Sequence, residues 1–266
     1  MQKEMSSTKQ CDVFDVVQAP PYQKIISSRW IFRKKPDGSY KARWVAQGYG
    51  QVPGTDYSVT YSPVCRIESI ILLLIIANRN WEVSHLDVSS AFSQAPLMQG
   101  EEIYVSQAPA LIEKDLSTEI PVCKLKKSFH GLKQSPRNWI IAFTDALVEY
   151  GFKSGVSDPS IYRYRNENDI VLLSLYVDDA LIYGNSTSLV DQVKKYLKDK
   201  VVMKDIGRAK LILGAQVMYD DVIGKTQLSQ ENYDKIMLTR YGMAACNSTK
   251  TPGDNHPIDI LKIVVR

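Results

Sequence analysis

The segment from Asp169 to Gly184, DIVLLSLYVDDALIYG, constrains the fold more than any other part of the sequence. Its two apolar runs are rich in strand-forming residues, and two such runs in direct succession predict a buried β-hairpin. Asp178 and Asp179 lie between the runs and are expected to form the turn. Tight hairpin turns favour Asn-Gly or Asp-Gly because they need positive φ. An Asp-Asp turn is therefore a poor local choice and indicates either a surface turn or a cation site.

The surrounding pattern places this hairpin in a larger antiparallel sheet. A strand is expected to end at Asp87. Apolar residues at helical spacing predict a later helix that ends at Gly151, because glycine is favoured at helix ends. The predicted order from Asp87 on is strand, helix, strand, strand, helix, strand, which is the split βαβ plan of a ferredoxin-like sheet. The segments that carry this prediction, besides the hairpin, are residues 81–88, 135–152, 188–201 and 209–219.

The amino-terminal third contains a second hairpin and a helix. Residues 27–49 read as two β-rich arms around Pro36-Asp37-Gly38, a strong turn signal. Ser62-Pro63 predicts a helix start, with serine as the N-cap and proline at the first helical position. The apolar stretch that follows, residues 65–80, is expected to be a buried helix, although its isoleucines leave a strand possible.

Composition excludes several classes of protein. The chain has 266 residues, enough for one large or two small domains, and its net charge of +4 is too mild to indicate nucleic-acid binding by itself. The four cysteines contain no CxxC pair, so neither a zinc site nor a disulfide framework is indicated. The longest apolar run, residues 70–77, is too short to span a membrane. We therefore expect a soluble intracellular chain with no membrane partner.

Three carboxylates are expected to meet at one edge of the sheet. Asp87 ends the first strand, the Asp178-Asp179 pair ends the middle strands, and neighbouring strands lie about 5 Å apart. Carboxylates this close repel one another unless cations lie between them, and hard oxygen ligands suit Mg²⁺. Two such ions about 3.5–4 Å apart can clamp a phosphoryl transfer. His85 is a poor candidate ligand, because no further nitrogen donors accompany it.

Several motifs, in order, resemble the reverse transcriptase of copia-type LTR retrotransposons. They are SYKARWVAQGY, LDVSSAF, KLKKSFHGLKQSPRNW, GFKSGVSDPSIY, LYVDDALIYG, MKDIGRAKLILGAQV and LSQENYDKIMLTRYGM. The resemblance covers residues 12–246, which would be fingers, palm and the start of a thumb. Residues 247–266 remain an unassigned tail or a truncated element.

The resemblance implies an α+β fold, the right hand of a polymerase with fingers and palm. The palm would be a ferredoxin-like antiparallel sheet with helices on one face, and the thumb would be largely missing. The implied activity is RNA-directed DNA polymerisation, in which dNTPs are added to a DNA primer on an RNA or DNA template. The cofactor would be two Mg²⁺ ions, for which Mn²⁺ can substitute. The implied location is intracellular, in cytoplasmic retrotransposon particles.

The resemblance also assigns roles to individual residues. Asp87, Asp178 and Asp179 would be catalytic metal ligands, together with the backbone carbonyl of Val88. The incoming nucleotide would meet either Lys41 or Arg43 at its triphosphate, with backbone N–H groups after Asp87 as further partners. Phe92 is expected to be either a gate against the 2′-hydroxyl or a core residue. The remaining implied contacts are His130 and Gly131 in the nucleotide pocket, where the family usually has tyrosine before the glycine, and Lys133, Arg137, Leu213 and Gly214 along primer and template.

Two stretches have the composition of a nucleic-acid surface. Residues 27–55 contain one acid, Asp37, among many cations, and residues 124–144 contain none. In the second stretch the cations alternate with aromatic residues, as in proteins that bind phosphates and stack bases. Two rival hypotheses stay open, a catalytically inactive polyprotein remnant that at most binds nucleic acid, and a DNA-templated polymerase on the same palm.

Overall fold

The computed structural model describes residues 1–35, 38–77, 81–109, 121–220, 222 and 225–247. The chain divides into two compact units. The first comprises Met1–Ala209 and Tyr219–Thr226, and the second comprises Lys210–Met218 and the described residues from Gln227 onward. The expected tail therefore lies almost wholly outside the described residues, as does the predicted turn at Pro36-Asp37.

The described chain alternates between short strands and five α-helices. The helices are α1 (Gln2–Gln10), α2 (Ile67–Ala77), α3 (Ser135–Tyr150), α4 (Thr187–Lys200) and α5 (Glu231–Arg240). The first eight strands are β1 (Phe14–Gln18), β2 (Ile25–Ile26), β3 (Ser28–Lys34), β4 (Tyr40–Ala46), β5 (Glu82–Val88), β6 (Tyr104–Ser106), β7 (Pro121–Leu125) and β8 (Lys153–Ser154). The others are β9 (Ile161–Arg165), β10 (Ile170–Tyr176), β11 (Asp179–Gly184), β12 (Met203–Arg208), β13 (Leu211–Ile212), β14 (Ala215–Asp220) and β15 (Lys225–Ser229).

A six-stranded antiparallel sheet forms the centre of the first unit. Its strand order is β12-β5-β11-β10-β9-β8. Helix α3 lies in the chain between β5 and β10, and helix α4 lies between β11 and β12. The predicted split βαβ arrangement is therefore confirmed for β5, β10 and β11, the strands that carry or flank the aspartates.

The main hydrophobic core lies between this sheet and helices α3 and α4. It includes fully buried residues from both helices and from the central strands, among them Phe143, Leu147, Val193, Leu173 and Ile182. The alternate residues of β11, Leu181 and Tyr183, are also buried, because α2 packs on β5 and β11. Helices thus cover more than the single face that the resemblance implied.

The fourth strand of the plan was predicted wrongly at residues 209–219. The sheet instead uses β12, Met203–Arg208, which pairs with β5. Met203 is the one residue of this edge strand that is even partly buried. The strand therefore lacks the alternation of apolar and polar residues by which a strand is predicted from sequence. The predicted strand is itself broken in two, because Leu213 and Gly214 both adopt positive φ, at +49° and +84°. They join β13 to β14 as a tight hairpin in the second unit, where Ile212 pairs with Ala215.

A second sheet and a separate hairpin also belong to the first unit. The second sheet has the order β1-β7-β6-β2, and Trp44, Phe129, Val105 and Leu125 are among the residues of its own buried core. Strands β3 and β4 pair antiparallel from Ser28 opposite Ala46 onward, which confirms the predicted hairpin.

Helix α2 is capped from a distant part of the chain. The predicted start at Ser62-Pro63 is wrong, because the helix begins at Ile67 and the Ser62 hydroxyl donates to the carbonyl of Pro136. The Asp158 carboxylate instead accepts hydrogen bonds from the Arg66 backbone N–H at 3.0 Å and from the Ser69 hydroxyl at 2.7 Å. A carboxylate at the helix amino terminus satisfies unpaired N–H groups and complements the helix dipole.

Replacing Asp158 with asparagine should destabilise the first unit at neutral pH by about 2 kcal/mol. Burial raises the pKa of Asp158, but hydrogen bonds from Arg66, Ser69 and Ser160 outweigh it and leave the pKa below its ordinary value. A lowered folded-state pKa stabilises the fold above the unfolded pKa of about 3.9, and that contribution is lost as pH falls through the folded pKa.

Urea unfolding at pH 7 and near pH 3 tests this prediction. The difference between wild type and Asp158→Asn should shrink at the lower pH, because protonation of Asp158 removes the charge that the hydrogen bonds stabilise. Asp199→Asn, on an exposed position of α4, is the matched control and should change stability little at either pH. An equal loss for Asp158→Asn at both pH values would contradict the proposed charge-assisted cap.

Among the described helices, none is both long enough and apolar enough to cross a membrane.

Candidate active site

The backbone brings the three predicted aspartates to the same end of the central strands. Asp87 and Asp179 are directly opposite each other in the pairing of β5 with β11. Asp178 immediately precedes this pair, and its backbone carbonyl accepts a hydrogen bond of 2.8 Å from the N–H of Val88. Asp87 is far from the other two aspartates in sequence but adjacent to them in the sheet.

The hairpin turn is one residue earlier than the sequence indicated. Tyr176 pairs with Asp179, so the two turn residues are Val177 and Asp178, and Asp179 belongs to the strand. Val177 has a φ of +55°, a left-handed conformation that is strained for a β-branched side chain. The buried Trp139 stabilises this turn, because its indole Nε1–H donates to the Val177 carbonyl at 2.8 Å.

The amides after Asp87 are already engaged within the protein. The Val88 N–H binds Asp178, and the Ser89 N–H donates to the Val202 carbonyl at 3.0 Å. The residues that follow form only a single 3₁₀ turn, Ala91–Gln94. The predicted use of these first amides by a triphosphate therefore does not fit the structure.

Asp178 is the aspartate whose ionisation the surroundings affect most clearly. Burial raises the pKa of its carboxyl, Arg43 opposes that rise, and Asp179 and Asp87 reinforce it. The net pKa lies above the ordinary value. A half-buried carboxyl beside two others is stabilised in its charged form by a cation, so this donor set suits a divalent ion.

The side chains are not gathered around one point as they stand. Within the described part of the chain, no three His, Cys, Asp or Glu side chains are placed to hold a metal ion together. Asp179 instead contacts His85, with 2.8 Å between His85 Nε2 and Asp179 Oδ1. The chemistry and the backbone register of the trio therefore fit a hard cation, whereas Asp179 is engaged by a neighbour.

The β3–β4 hairpin has one cationic face. Its register places Arg33 opposite Lys41 and Ile31 opposite Arg43, so the three cations share a face of the ribbon. Arg43 contributes more than Lys41 to the pKa values of both Asp178 and His130. Of the two cations that the sequence left as alternatives, Arg43 thus has the stronger electrostatic influence on Asp178.

His130 and Phe92 contact each other beside these cations. Their ring centroids are 5.2 Å apart in an edge-to-face arrangement. Burial, and then the charges of Arg43 and Lys41, lower the pKa of His130 to about 4. His130 is therefore neutral at pH 7. Phe92 is half-buried and packs against the main core, so it serves packing whether or not it also faces a nucleotide.

Gly131 is required by close backbone packing. It has a φ of +94°, and a Cβ at this position would lie 2.0 Å from the Ala46 carbonyl oxygen. Gly48 is equally confined, because its Cβ would lie 2.0 Å from the Gly131 carbonyl oxygen. The backbone N–H of Ala46 also donates to the His130 carbonyl at 2.8 Å. These contacts join the end of β4 to the turn that presents His130.

The basic stretch at residues 124–144 is mostly not a nucleic-acid surface. Lys126 forms ion pairs with Asp12 and Asp15, and Lys124 forms one with Glu102. Its aromatic residues are core side chains that are at most 1% exposed, namely Phe129, Trp139 and Phe143. The prediction that they interleave with cations for base stacking is therefore wrong.

Lys133 and Arg137 are the members of this stretch that remain candidates for nucleic-acid contact. Lys133 is exposed and lies over the ring of Tyr57, with its Nζ 5.1 Å from the centroid. Arg137 is half-buried at the start of α3. Leu213 and Gly214 form the hairpin turn of the second unit. No described heavy atom lies within 4 Å of a Cβ at Gly214, so positive φ rather than close packing accounts for this glycine.

Sequence reasoning missed two neighbours of the site. Glu4 of α1 lies close enough to Arg43 and Lys41 to feel both charges, and burial raises the pKa of its carboxyl despite them. Nothing in the sequence of α1 connects it with β4. Trp139 was expected to face nucleic acid. Its hydrogen bond to Val177 could not be predicted from the sequence, where the one relevant feature is an indole N–H in an apolar helix.

Comparison with known proteins identifies the class. The family model described as reverse transcriptase (RNA-dependent DNA polymerase) matches residues 11–255. The chain belongs to this reverse transcriptase family.

Its relatives include Pol polyproteins of copia-type transposons, which confirms the resemblance seen in the sequence. The chain is 36% identical to the retrovirus-related Pol polyprotein from transposon TNT 1-94 of Nicotiana tabacum, over 96% of this chain and 20% of that protein. It is 39% identical to the polyprotein from transposon RE1 of Arabidopsis thaliana, over 90% of this chain and 16% of that protein. It therefore spans a fifth or less of the length of these relatives.

Among solved structures, the chain is similar to a foamy viral protease-reverse transcriptase in complex with double-stranded DNA. The identity is 15% and the TM-score 0.49, with 89% of this chain and 36% of that chain covered. This likeness is too distant to bear on the function of individual residues.

Proposed function

We propose that the chain is an RNA-directed DNA polymerase domain that adds dNTPs to a DNA primer on an RNA or DNA template. The observation that carries the proposal is the register of β5 and β11, which sets Asp87 opposite Asp179 and beside Asp178 in a member of the reverse transcriptase family. The central sheet would be the palm, and the β3–β4 hairpin with the second sheet would be the fingers.

The aspartates would hold two Mg²⁺ ions with the help of the Val88 carbonyl. When bound, such ions make a primer hydroxyl more acidic and stabilise the charge on the leaving pyrophosphate. The carboxylates of Asp87 and Asp178 would bind the ions and partly neutralise their charge. Strand pairing fixes the backbone of Asp87 opposite that of Asp179, which supports precise orientation of the reacting groups.

The nucleotide would lie between the aspartates and the cationic face of the β3–β4 hairpin. Arg43 is the preferred triphosphate partner, because its charge reaches Asp178 more strongly than that of Lys41. Neutral His130 would serve as a wall of the pocket beside Phe92, with Gly131 holding the turn against β4. Lys133 and Arg137, and in the second unit Leu213 and Gly214, are the proposed contacts to primer and template.

Extension of oligo(dT) on poly(rA) with Mg²⁺ or Mn²⁺ tests the proposal directly. Addition of dTTP to the primer, dependent on the metal, is the expected result. The same primer on poly(dA) separates an RNA-directed enzyme from a DNA-templated one. Primer–template binding without any nucleotide addition would show instead that the domain is an inactive remnant.

Replacing Phe92 by alanine should weaken discrimination against ribonucleotides by roughly 10- to 100-fold. An aromatic ring in the pocket excludes a 2′-hydroxyl by its volume, and alanine leaves room for that group. The ratio of kcat/KM for dTTP and UTP measures the effect. Phe92→Leu, which keeps most of the apolar volume packed on the core, should retain more discrimination. An unchanged ratio in Phe92→Ala would leave Phe92 as a packing residue only.

A further inference from the structure

His85 has a fixed position on the same face of β5 as Asp87. The two residues are two positions apart in a strand, so their side chains project to the same side of the sheet. His85 pairs with Leu181 of β11 on one side and with Gly207 of β12 on the other. Its side chain is only 13% exposed, whereas that of Asp179 is 45% exposed. The ring is therefore the better-held member of the His85–Asp179 contact.

The contact leaves one carboxylate oxygen available. An ionised carboxylate can only accept hydrogen bonds, so His85 Nε2–H donates to Asp179 Oδ1. This bond restricts rotation of a side chain that is otherwise almost half exposed. Since Asp179 is opposite Asp87, its second oxygen remains for an ion shared with the neighbouring aspartates.

We propose that His85 is a positioning residue, which orients the Asp179 carboxylate so that its free oxygen binds a divalent cation. This inference rests on the proposed function, because it assigns His85 to the same metal site. A direct role as a ligand fits less well, since Mg²⁺ prefers oxygen donors. Hydrogen-bond partners of metal ligands typically contribute 10- to 100-fold to metal affinity.

Titration of the purified full chain with Mn²⁺, followed by electron paramagnetic resonance of the free ion, tests the proposal without nucleotide or nucleic acid. His85→Met removes the donor and keeps a similar side-chain length, and it should weaken Mn²⁺ binding about 10-fold. His85→Gln introduces a side chain close in shape to methionine but keeps an N–H donor. Its Mn²⁺ affinity should stay within about 3-fold of wild type. Circular dichroism and urea midpoints establish that both variants are folded.

A second measurement distinguishes a role of His85 in orienting Asp179 from a general loss of activity. In primer extension, His85→Met should need about 10-fold more Mg²⁺ for half-maximal rate, with the rate at saturating Mg²⁺ largely retained. A fall in the saturated rate without a change in Mg²⁺ requirement would overturn the positioning role. So would equal Mn²⁺ affinity in wild type, His85→Met and His85→Gln.

Asp178→Asn in the same titration distinguishes failure of this inference from failure of the proposed function. If that variant binds Mn²⁺ as tightly as wild type, the aspartates do not hold the ion, and both ideas fail. If Asp178→Asn loses the ion while His85→Met binds like wild type, the metal site stands and only the role of His85 is rejected.

Discussion

Replacing Asp178 by asparagine is expected to reduce Mg²⁺-dependent primer extension by at least about 10³-fold. Asparagine has almost the same shape but carries no charge, so it cannot neutralise an ion at the end of the central strands. The carbonyl of Asp178 still accepts the Val88 N–H, because that bond uses the backbone. The loss should therefore appear in activity rather than in folding.

The measurement is steady-state incorporation of dTTP on poly(rA)·oligo(dT), with the urea midpoint of each protein determined in parallel. Asp87→Asn should give a similar loss, since Asp87 belongs to the same trio. Asp199→Asn, an exposed charge removal on α4, should retain full activity. Substantial polymerisation by a folded Asp178→Asn protein would exclude this trio as the catalytic centre.

Replacing Gly131 by alanine should destabilise the first unit by roughly 3 kcal/mol, with a fall in Tm of about 6 to 12 °C. Two costs combine. The backbone φ of +94° is strained for any residue with a Cβ, and the added methyl would meet the Ala46 carbonyl oxygen. Because that oxygen is backbone, β4 itself must shift, and Arg43 on the same strand would shift with it.

Thermal unfolding of Gly131→Ala beside Gly50→Ala gives a matched comparison. No described heavy atom lies within 4 Å of a Cβ at Gly50, and its φ is not positive, so alanine there should change Tm little. Any residual folded Gly131→Ala protein should also show a raised KM for dNTP. A Tm within about 2 °C of wild type, less than the shift expected for 1 kcal/mol, would contradict the close packing.

Local signals predicted the elements whose residues pack against one another nearby. Helix α3 ends at Gly151 in a left-handed conformation, as its apolar spacing and the glycine indicated. The β3–β4 hairpin and the strands around the aspartates follow the same logic. The opposition of Asp87 and Asp179 was also predictable, because the order of elements fixes which strands are neighbours.

The errors occur where a distant partner decides the local structure. Ser62-Pro63 has the local form of a helix start, but α2 is capped by Asp158 from 92 residues away in sequence. The basic run from Lys124 looked available for nucleic acid, but acids on β1 and near β6 pair with its first lysines. No pattern within either segment contains this information.

The turn beside the aspartates was mispredicted because its backbone conformation opposes the preference of its own side chain. Val177 adopts a conformation that its own side chain disfavours, at a cost of order 1 kcal/mol or more. Sequence preference therefore pointed to the wrong pair of residues as the turn. Hydrogen bonds from Trp139 and Val88 to the turn carbonyls hold the strained arrangement in place.

Two positions determine how firmly this turn is held, Val177 and Trp139. Glycine at position 177 would relieve the backbone and raise thermal stability, yet it would also widen the range of angles at which the next carboxylate is presented. Replacement of Trp139 would have a different effect. It would remove the hydrogen bond to the Val177 carbonyl but leave the strained φ of Val177 unchanged. The two positions therefore act on one turn in different ways, position 177 through the freedom of the backbone and position 139 through the hydrogen bond that holds the turn carbonyl.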